Sequence, residues 1–310
     1  MLEVKELVKS FHSDFLRKKT KVLNEVTFDV REGEVFGFIG PNGAGKTTTF
    51  KSILGYIPID SGNISIMNKS YLDVSVKSKI GYLPENPYFY DYLTGEELLR
   101  YMGNLHSINK ENLDKRIELL LNKVKMGHAR KMQLRKYSKG MLQRIGIAQA
   151  LINDPDFLIL DEPMSGLDPV GRREIIDLIL EKKERGKTVI LSSHILSDVE
   201  TLCDRVGVIF QGKIVKLGNL SDLLSDTESI YEMILNNSDD HSVKSKLKDL
   251  NVKVYRRAGL VVLDFNENIK KHVIDVLNQN NIDIIRMVPL RKSLDDLFIS
   301  ESLNNIKIQK

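Results

Sequence analysis

The sequence has little of what marks secreted or membrane-embedded proteins. It contains a single cysteine, Cys203, so no disulfide can form within the chain, which suits a reducing compartment. No apolar run approaches the ~18 residues that a membrane-spanning helix requires. The first residues lack the basic and then apolar pattern of a secretion signal, and we expect no such signal. Any membrane association is therefore expected to be peripheral, through a separate protein.

The net charge of the chain is also too small to indicate a nucleic-acid partner. The formal net charge is +4, whereas dedicated nucleic-acid-binding proteins usually carry a strong basic excess, so we expect no nucleic-acid partner. The hydrophobic fraction of 42% and the charged fraction of 28% are those of an ordinary globular protein. A length of 310 residues is enough for one large domain and a smaller one.

Residue patterns along the chain divide it into these two domains. Residues 1–218 alternate buried strands with amphipathic helices, which predicts an α/β domain with a parallel or mixed sheet. Within it, residues from about 86 to 136 place apolar side chains at helical spacing and predict a helical insertion. Residues 219–310 predict a small α+β domain of accessory or regulatory role. Its order of strand, helix, strand, strand, helix, strand is ferredoxin-like, and a last short helix follows over 293–300.

The most informative segment is a glycine-rich loop with the pattern Gly-x-x-x-x-Gly-Lys-Thr. Its residues are Gly40, Pro41, Asn42, Gly43, Ala44, Gly45, Lys46, Thr47 and Thr48. An apolar strand over 34–39 precedes the loop and a helix over 47–54 follows it, which is the context that a phosphate-binding loop requires. Backbone N–H groups of such a loop converge on an anion. Lys46 adds a positive charge for the outer phosphates, and the Thr47 hydroxyl can hold Mg²⁺.

A second acidic site follows the apolar strand over 157–160, where Asp161 and Glu162 come next. Ligands of open α/β sheets bind at such strand ends. Taken alone, this acidic pair is more typical of an ordinary loop. In a chain with a phosphate-binding loop, we expect Asp161 to hold Mg²⁺ and Glu162 to polarise or deprotonate a water. GTP is disfavoured, because the nearby string Asn68–Tyr71 lacks the aspartate of a guanine-binding Asn-Lys-x-Asp motif.

Six motifs in one order carry a family resemblance. Besides the phosphate-binding loop and Asp161-Glu162, they comprise Gly81–Glu85, Tyr137–Arg144, Pro163–Asp168 and Ser193-His194. Tyr137–Arg144 reads Tyr-Ser-Lys-Gly-Met-Leu-Gln-Arg and is similar to the signature Leu-Ser-Gly-Gly-Gln-x-Gln-Arg. Over residues 2 to about 218 the chain thus resembles the ATP-binding subunit of ABC transporters, which have a P-loop NTPase fold. The ordered set is far more specific than any single motif.

The resemblance implies ATP and Mg²⁺ as ligands and a dimer of two cassettes, with a homodimer expected. Ser138 and Gly140 would contact the γ-phosphate of ATP held by the opposite subunit. Glu162 and His194 would position the attacking water, and Lys46 would bind the transferring phosphate. Phe11 lies where an aromatic residue normally stacks on adenine, and a buried core position is the alternative interpretation of this residue.

Two departures from the family pattern resemble an export class that works with separate type-2 permeases. Glu85 replaces the usual glutamine of the Q-loop, and a carboxylate there can also face Mg²⁺. The signature has Lys139 and Met141 at two positions where the family has glycine and glutamine. An integral-membrane permease would dock near the aromatic segment 85–92, for which the core of the helical region is the alternative interpretation. The protein is then expected at the cytoplasmic face of the cell membrane.

Two other function classes fit the sequence less well. ABC ATPases that act on ribosomes or DNA usually carry two cassettes or a long coiled coil, and this chain has one phosphate-binding loop and no sustained heptads. A regulatory module that binds ATP without hydrolysis is disfavoured by the intact Asp161-Glu162 and His194. The sequence does not indicate the transported substrate, because substrate contacts would lie in the permease.

Overall fold

The computed structural model describes residues 1–12, 19–225, 230–236, 239–248 and 250–290. These residues form two compact units, one extending to Leu220 and the other beginning at Ser221. The helix expected over 293–300 lies outside the described residues.

The first unit consists of two sheets and the helices that surround them. Its strands are β1 (Leu2–His12), β2 (Lys19–Val30), β3 (Val35–Ile39), β4 (Ser61–Ile66), β5 (Lys69–Ser70), β6 (Ile80–Leu83), β7 (Phe157–Asp161), β8 (Thr188–Ser193), β9 (Arg205–Phe210) and β10 (Lys213–Asn219). Its helices are α1 (Lys46–Ile53), α2 (Val74–Lys77), α3 (Gly95–Leu105), α4 (Lys110–Lys123), α5 (Lys139–Ala150), α6 (Pro169–Glu184) and α7 (Leu196–Leu202), and α8 (Leu220–Ser225) begins at its boundary.

The six-stranded sheet positions the predicted site residues. Its strand order is β10-β9-β3-β8-β7-β6, and all neighbours are parallel except β10, which pairs antiparallel with β9. Every residue of β3, β7 and β8 is buried, as expected for parallel strands covered on both faces. Because these strands run the same way, the segments that follow β3, β6, β7 and β8 emerge at one edge of the sheet.

An aromatic cluster joins this sheet to the smaller antiparallel one, whose order is β2-β1-β4-β5. The ring of Phe28 on β2 lies 5.6 Å from that of Phe36 and 5.1 Å from that of Phe38, both on β3. Phe38 in turn contacts Phe50 of α1, with ring centroids 5.8 Å apart. All four rings are buried, so α1 packs against β3 through this aromatic cluster.

The predicted helical region contains α3 and α4, and α5 packs against both. Thr94 caps α3: its hydroxyl accepts from Glu97 N, and the Glu97 carboxylate accepts from Thr94 N, a reciprocal capping box. Asn109 caps α4 through Asn112 N. Local capping together with an apolar stripe on each helix explains why the sequence pattern predicts this region.

The second unit contains β11 (Ile230–Leu235), α9 (Asp240–Lys246), β12 (Val252–Arg257), β13 (Leu260–Asn266), α10 (Lys270–Gln279) and β14 (Ile284–Leu290). Its sheet has the order β12-β13-β11-β14, and every neighbouring pair is antiparallel. Ala258 and Gly259 form the turn between β12 and β13 with φ values of 51° and 82°, a conformation that tight hairpins require. The core of this unit includes Met233, Leu263 and Phe265.

Candidate active site

A cavity of about 510 Å³ opens at the N-terminus of α1. Most of its lining comes from the glycine-rich loop between β3 and α1, and two acidic residues close it from other segments. The lining comprises Val22, Pro41, Asn42, Gly43, Gly45, Lys46, Thr47, Thr48, Glu85 and Glu162. The loop therefore surrounds a space, as a phosphate-binding loop must.

The backbone of this loop requires glycine at two positions. Gly43 has φ 80° and Gly45 has φ 113°, in the left-handed region that L-residues rarely adopt. A Cβ on Gly45 would also lie 2.7 Å from Leu23 Cδ2. Gly45 is the N-cap residue of α1 and has no side chain that could accept from the first N–H groups of the helix. These N–H groups are therefore left for an anion.

Lys46 supplies a buried positive charge beside the cavity, and its side chain is only 6% exposed. Its Nζ donates to Gly40 O at 2.7 Å and to Pro41 O at 3.4 Å. The same Nζ lies 3.5 Å from Glu162 Oε1. Two carbonyl oxygens and one carboxylate thus hold the ammonium group at the position where the outer phosphates are expected.

Asp161, the last residue of β7, is fully buried next to Ser192 of β8. Ser192 Oγ donates to Asp161 Oδ1 at 2.6 Å and accepts from Glu162 N at 2.9 Å. Burial raises the pKa of Asp161, and the charges of Glu85 and Glu162 raise it further. The hydrogen bonds from Ser192 and Thr47 lower this pKa, but the net shift is upward. Asp161 Oδ2 has no hydrogen-bond partner among the described residues, so a bound cation would offset the cost of the buried charge.

Glu162 follows β7 and lines the cavity, and its side chain is only 9% exposed. Its Oε2 is 2.7 Å from His194 Nδ1, and His194 follows β8 with half of its side chain exposed. Glu162 Oε1 has no hydrogen-bond partner in the described part of the chain. His194 thus holds one oxygen of this carboxylate, while the other makes no hydrogen bond to the described residues and lies 3.5 Å from Lys46 Nζ. A carboxylate placed in this way beside the cavity can accept a proton from a water.

The three residues predicted to hold a metal come together at this edge of the sheet. Thr47 lines the cavity at the start of α1, and its side chain is near enough to the Asp161 carboxylate to lower the pKa of that group. Glu85, which follows β6, is exposed and lines the same cavity. Hydroxyl and carboxylate oxygens are the ligands that Mg²⁺ prefers in proteins.

Phe11, Ser138 and Gly140 are absent from the described lining of this cavity. Phe11 lies on β1 with 43% of its surface exposed, and Lys9 Nζ is 5.3 Å from its ring centroid. The alternative interpretation of Phe11 as a buried core residue is therefore wrong. Ser138 caps α5, as its hydroxyl accepts from Met141 N at 3.3 Å, and it remains exposed.

Comparison with known proteins identifies the family. A family model described as ABC transporter matches residues 23–165. An uncharacterised ABC transporter ATP-binding protein of Synechocystis sp. is 41% identical over 304 residues, which cover 97% of this chain and 84% of that protein. The bacitracin transport ATP-binding protein of Bacillus licheniformis is 34% identical over 90% of this chain and 92% of its own length.

The chain belongs to the ATP-binding proteins of ABC transporters. It is accordingly an ATPase subunit that powers transport. A solved ATP-binding subunit of an ABC transporter, 33% identical, superposes with a TM-score of 0.66 over 73% of this chain and 92% of its own. A dimeric ATP-binding cassette solved with ADP and Pi in a post-hydrolysis state is 24% identical, with the same TM-score over 71% of this chain, and is similar in fold.

Two buried residues of this ABC ATPase contact the site without having been singled out in the sequence. Ser192 bridges Asp161 and Glu162, as described above. Gln143 of α5, 1% exposed, donates to Glu162 O at 3.0 Å and to Pro163 O at 3.1 Å. The signature match contains Gln143, which is the one sequence signal for it. No sequence signal pointed to Ser192, because its role depends on β8 lying beside β7.

A second cavity of about 570 Å³ forms an aromatic groove beside the helical region of the ATPase. Its lining comprises Lys51, Tyr56, Lys77, Ile80, Tyr82, Pro84, Asn86, Tyr88, Phe89, Met102, His106 and Gln149. Tyr88 is 97% exposed, Tyr90 55% and Tyr92 61%, so the alternative that these tyrosines form the core of the helical region is wrong. Within the described residues, no helix combines the length and the hydropathy needed to cross a bilayer.

Proposed function

We propose that this protein hydrolyses ATP within a dimer of cassettes and thereby drives export through a separate membrane permease. The observation that carries the proposal is the environment of Glu162. Its carboxylate lies 2.7 Å from His194 on one side and beside the phosphate-binding cavity on the other, with Oε1 free of hydrogen bonds among the described residues.

ATP and Mg²⁺ fit the residues that line this cavity. The unpartnered Oδ2 of Asp161 is a buried acceptor that needs a cation, and the loop N–H groups need an anion. Thr47 and Asp161 would hold Mg²⁺, with Glu85 facing it. When bound, Mg²⁺ supplies charge neutralisation at the phosphate oxygens.

The protein's own groups then have distinct roles in hydrolysis. Lys46 binds the outer phosphates and offsets the charge that spreads over the transferring group. Glu162 Oε1 takes a proton from the attacking water, while His194 holds Oε2 and contacts the γ-phosphate at the surface. Phe11 stacks on adenine with its exposed ring, a contact of about 1–3 kcal/mol.

The signature residues support a site completed by a second copy. Ser138 is exposed at the start of α5 and Gly140, two residues later, is half-buried, and neither lines the described cavity of its own chain. A capped helix N-terminus with an exposed hydroxyl suits a phosphate group. Two copies would each insert this N-terminus against the ATP of the other, and ATP binding would close the dimer until hydrolysis reopens it.

The aromatic groove is the proposed docking site for the permease. Exposed tyrosines are enriched at protein interfaces, since they contribute large contact areas at low entropic cost. Export is supported by the departures at Glu85 and in the signature, and by the similarity to a relative named for bacitracin transport. Docking places the chain at the cytoplasmic face of the membrane as a peripheral subunit.

The second unit is assigned an accessory or regulatory role. We take residues 1–218 as the ATP-binding domain and 219–310 as the small domain. Strand, helix, strand, strand, helix and strand in an antiparallel sheet ordered β12-β13-β11-β14 are typical of a ferredoxin-like fold. Such a fold carries no function by itself.

The proposal is tested by Glu162→Gln, which removes the base and keeps the shape of the side chain. We expect unchanged ATP affinity, loss of phosphate release and an ATP-trapped dimer on size-exclusion chromatography. Glu184→Gln, at an exposed position on α6, is the matched control and should behave as the unmodified protein. Normal hydrolysis by Glu162→Gln would remove Glu162 from the mechanism.

The permease is tested by purification from detergent-solubilised membranes. We expect an integral-membrane protein to be recovered with this chain, and substitution of Tyr88 by alanine to reduce that recovery. Recovery solely with ribosomes or DNA would instead support the other class of ABC ATPase.

A further inference from the structure

Glu162 has a backbone conformation that is unusual for its residue type. Its φ is 50°, in the left-handed region that non-glycine residues seldom occupy. Such a conformation persists only where the surrounding groups determine it, and it is frequently found at functional sites. The groups bonded to the backbone of Glu162 therefore decide where its carboxylate points.

Two side chains bond to this backbone, one at the N–H group of Glu162 and the other at its carbonyl oxygen. Ser192 Oγ accepts from Glu162 N at 2.9 Å. Gln143 Nε2 donates to Glu162 O at 3.0 Å and to Pro163 O at 3.1 Å. Both partners of Gln143 are carbonyl oxygens, so its amide must present NH₂ to them, and its orientation is settled by chemistry. Gln143 is 1% exposed, which leaves water little access to replace these bonds.

The helix that carries Gln143 also lies close to the segment that follows Glu162. A Cβ on Gly140 would lie 3.0 Å from Gly166 O, and a Cβ on Gly166 would lie 2.9 Å from Lys139 Cγ. The start of α5 and the loop through Gly166 thus have no spare room between them, and a shift of one displaces the other.

We propose that Gln143 is a positioning residue for ATP hydrolysis. Its carboxamide holds the backbone of Glu162 in the left-handed conformation and thereby keeps the Glu162 carboxylate between Lys46 and His194. This inference rests on the proposed role of Glu162 as the base. Gln143 also links α5, which is capped by Ser138, to Glu162, the proposed catalytic base of the same chain. A displacement of α5 therefore changes the direction in which the Glu162 carboxylate points.

The experiment replaces Gln143 by methionine, which keeps the length of the side chain and removes both hydrogen bonds. In the full-length protein we expect kcat to fall about 10- to 100-fold, since small misplacements of catalytic groups cost this much. KM and ATP affinity should change less than about threefold, because the phosphate-binding loop that would hold the nucleotide is untouched.

The matched control is Asn153→Leu. Asn153 Nδ2 also donates to a backbone carbonyl, Ser78 O at 2.7 Å, outside the site. We expect this variant to keep the kcat of the unmodified protein. An equal fall of kcat in both variants would show a general structural effect and overturn the proposal.

A double variant separates positioning from structure. If Gln143 acts through Glu162, then Gln143→Met should not lower the residual rate of Glu162→Gln any further, because the group being positioned is already missing. A loss by the same factor in both backgrounds would overturn the inference. If methionine at this site prevents folding, Gln143→Asn serves instead: the amide is kept but is one methylene short of the two carbonyls, and a lowered kcat at unchanged KM is again expected.

The hydrolysis rates of the two variants distinguish a failure of this inference from a failure of the proposed function. Full hydrolysis by Gln143→Met together with an inactive Glu162→Gln contradicts only the positioning role. Full hydrolysis by Glu162→Gln contradicts the assignment of the base itself.

Discussion

Ser192→Ala is expected to be among the most destabilising single substitutions at the active site. Ser192 is fully buried and bonds to two groups at once, Asp161 Oδ1 at 2.6 Å and Glu162 N at 2.9 Å. Alanine fits the space but offers neither a donor nor an acceptor. Both groups would then lie in the interior without their present partner.

The magnitude follows from the two groups left unbonded. Each buried polar group without a partner costs about 1–3 kcal/mol, so the free energy of unfolding should fall by about 2–6 kcal/mol. For a unit of this size, that corresponds to a fall of about 4–24 °C in Tm. The pKa of Asp161 should also rise further, because the Ser192 hydrogen bond lowers it in the native protein.

Thermal unfolding of the full chain without nucleotide, followed by circular dichroism, measures this loss. Ser52→Ala is the control: the Ser52 hydroxyl is fully buried in α1 and has no hydrogen-bond partner among the described residues. Its removal should be neutral or slightly stabilising, since no bond is lost. If Ser192→Ala and Ser52→Ala gave the same Tm, the bridging role of Ser192 would be refuted.

Three further substitutions have defined outcomes. Gly45→Ala should lower ATP affinity about tenfold or more in a fluorescence titration, because φ is 113° and the added carbon would meet a leucine at 2.7 Å. Burial raises the pKa of Asp154, but hydrogen bonds from Arg116 and Lys182 outweigh burial and lower it to about 2. Asp154→Asn should therefore cost about 1 kcal/mol in urea unfolding above pH 4, after allowance for solvent screening, and the difference should vanish as pH falls towards 2. Glu85→Gln should keep ATP binding and change only permease-coupled turnover, and a tenfold loss of nucleotide affinity would contradict this.

The sequence was a good guide wherever the decisive interactions are local. The strand before the glycine loop was predicted over 34–39 and lies at Val35–Ile39, and the helix predicted over 47–54 lies at Lys46–Ile53. Apolar runs and helix caps act between near neighbours, so their patterns are visible in the sequence. The predicted helical region fits for the same reason, as α3 and α4 carry their own capping residues.

Exposure was harder to predict, because it depends on what packs nearby. Phe11 and Tyr88 are aromatic residues for which a core position was a reasonable alternative, and both are exposed. Gln143 and Ser192 present the opposite case, since polar residues are usually at the surface and these two are buried. Their burial is stable because each satisfies its hydrogen bonds inside the site.

By itself, the sequence determined the chemistry of the phosphate-binding loop, since glycines, Lys46 and Thr47 act within a few residues of one another. Only the tertiary structure decided that Glu85, Asp161 and His194 lie at the same edge as this loop. The order β9-β3-β8-β7-β6 differs from the order along the chain, so segments distant in sequence follow neighbouring strands. Parallel strands bring their ends together whatever their separation in sequence, and the sheet thereby assembles a site that no single segment contains.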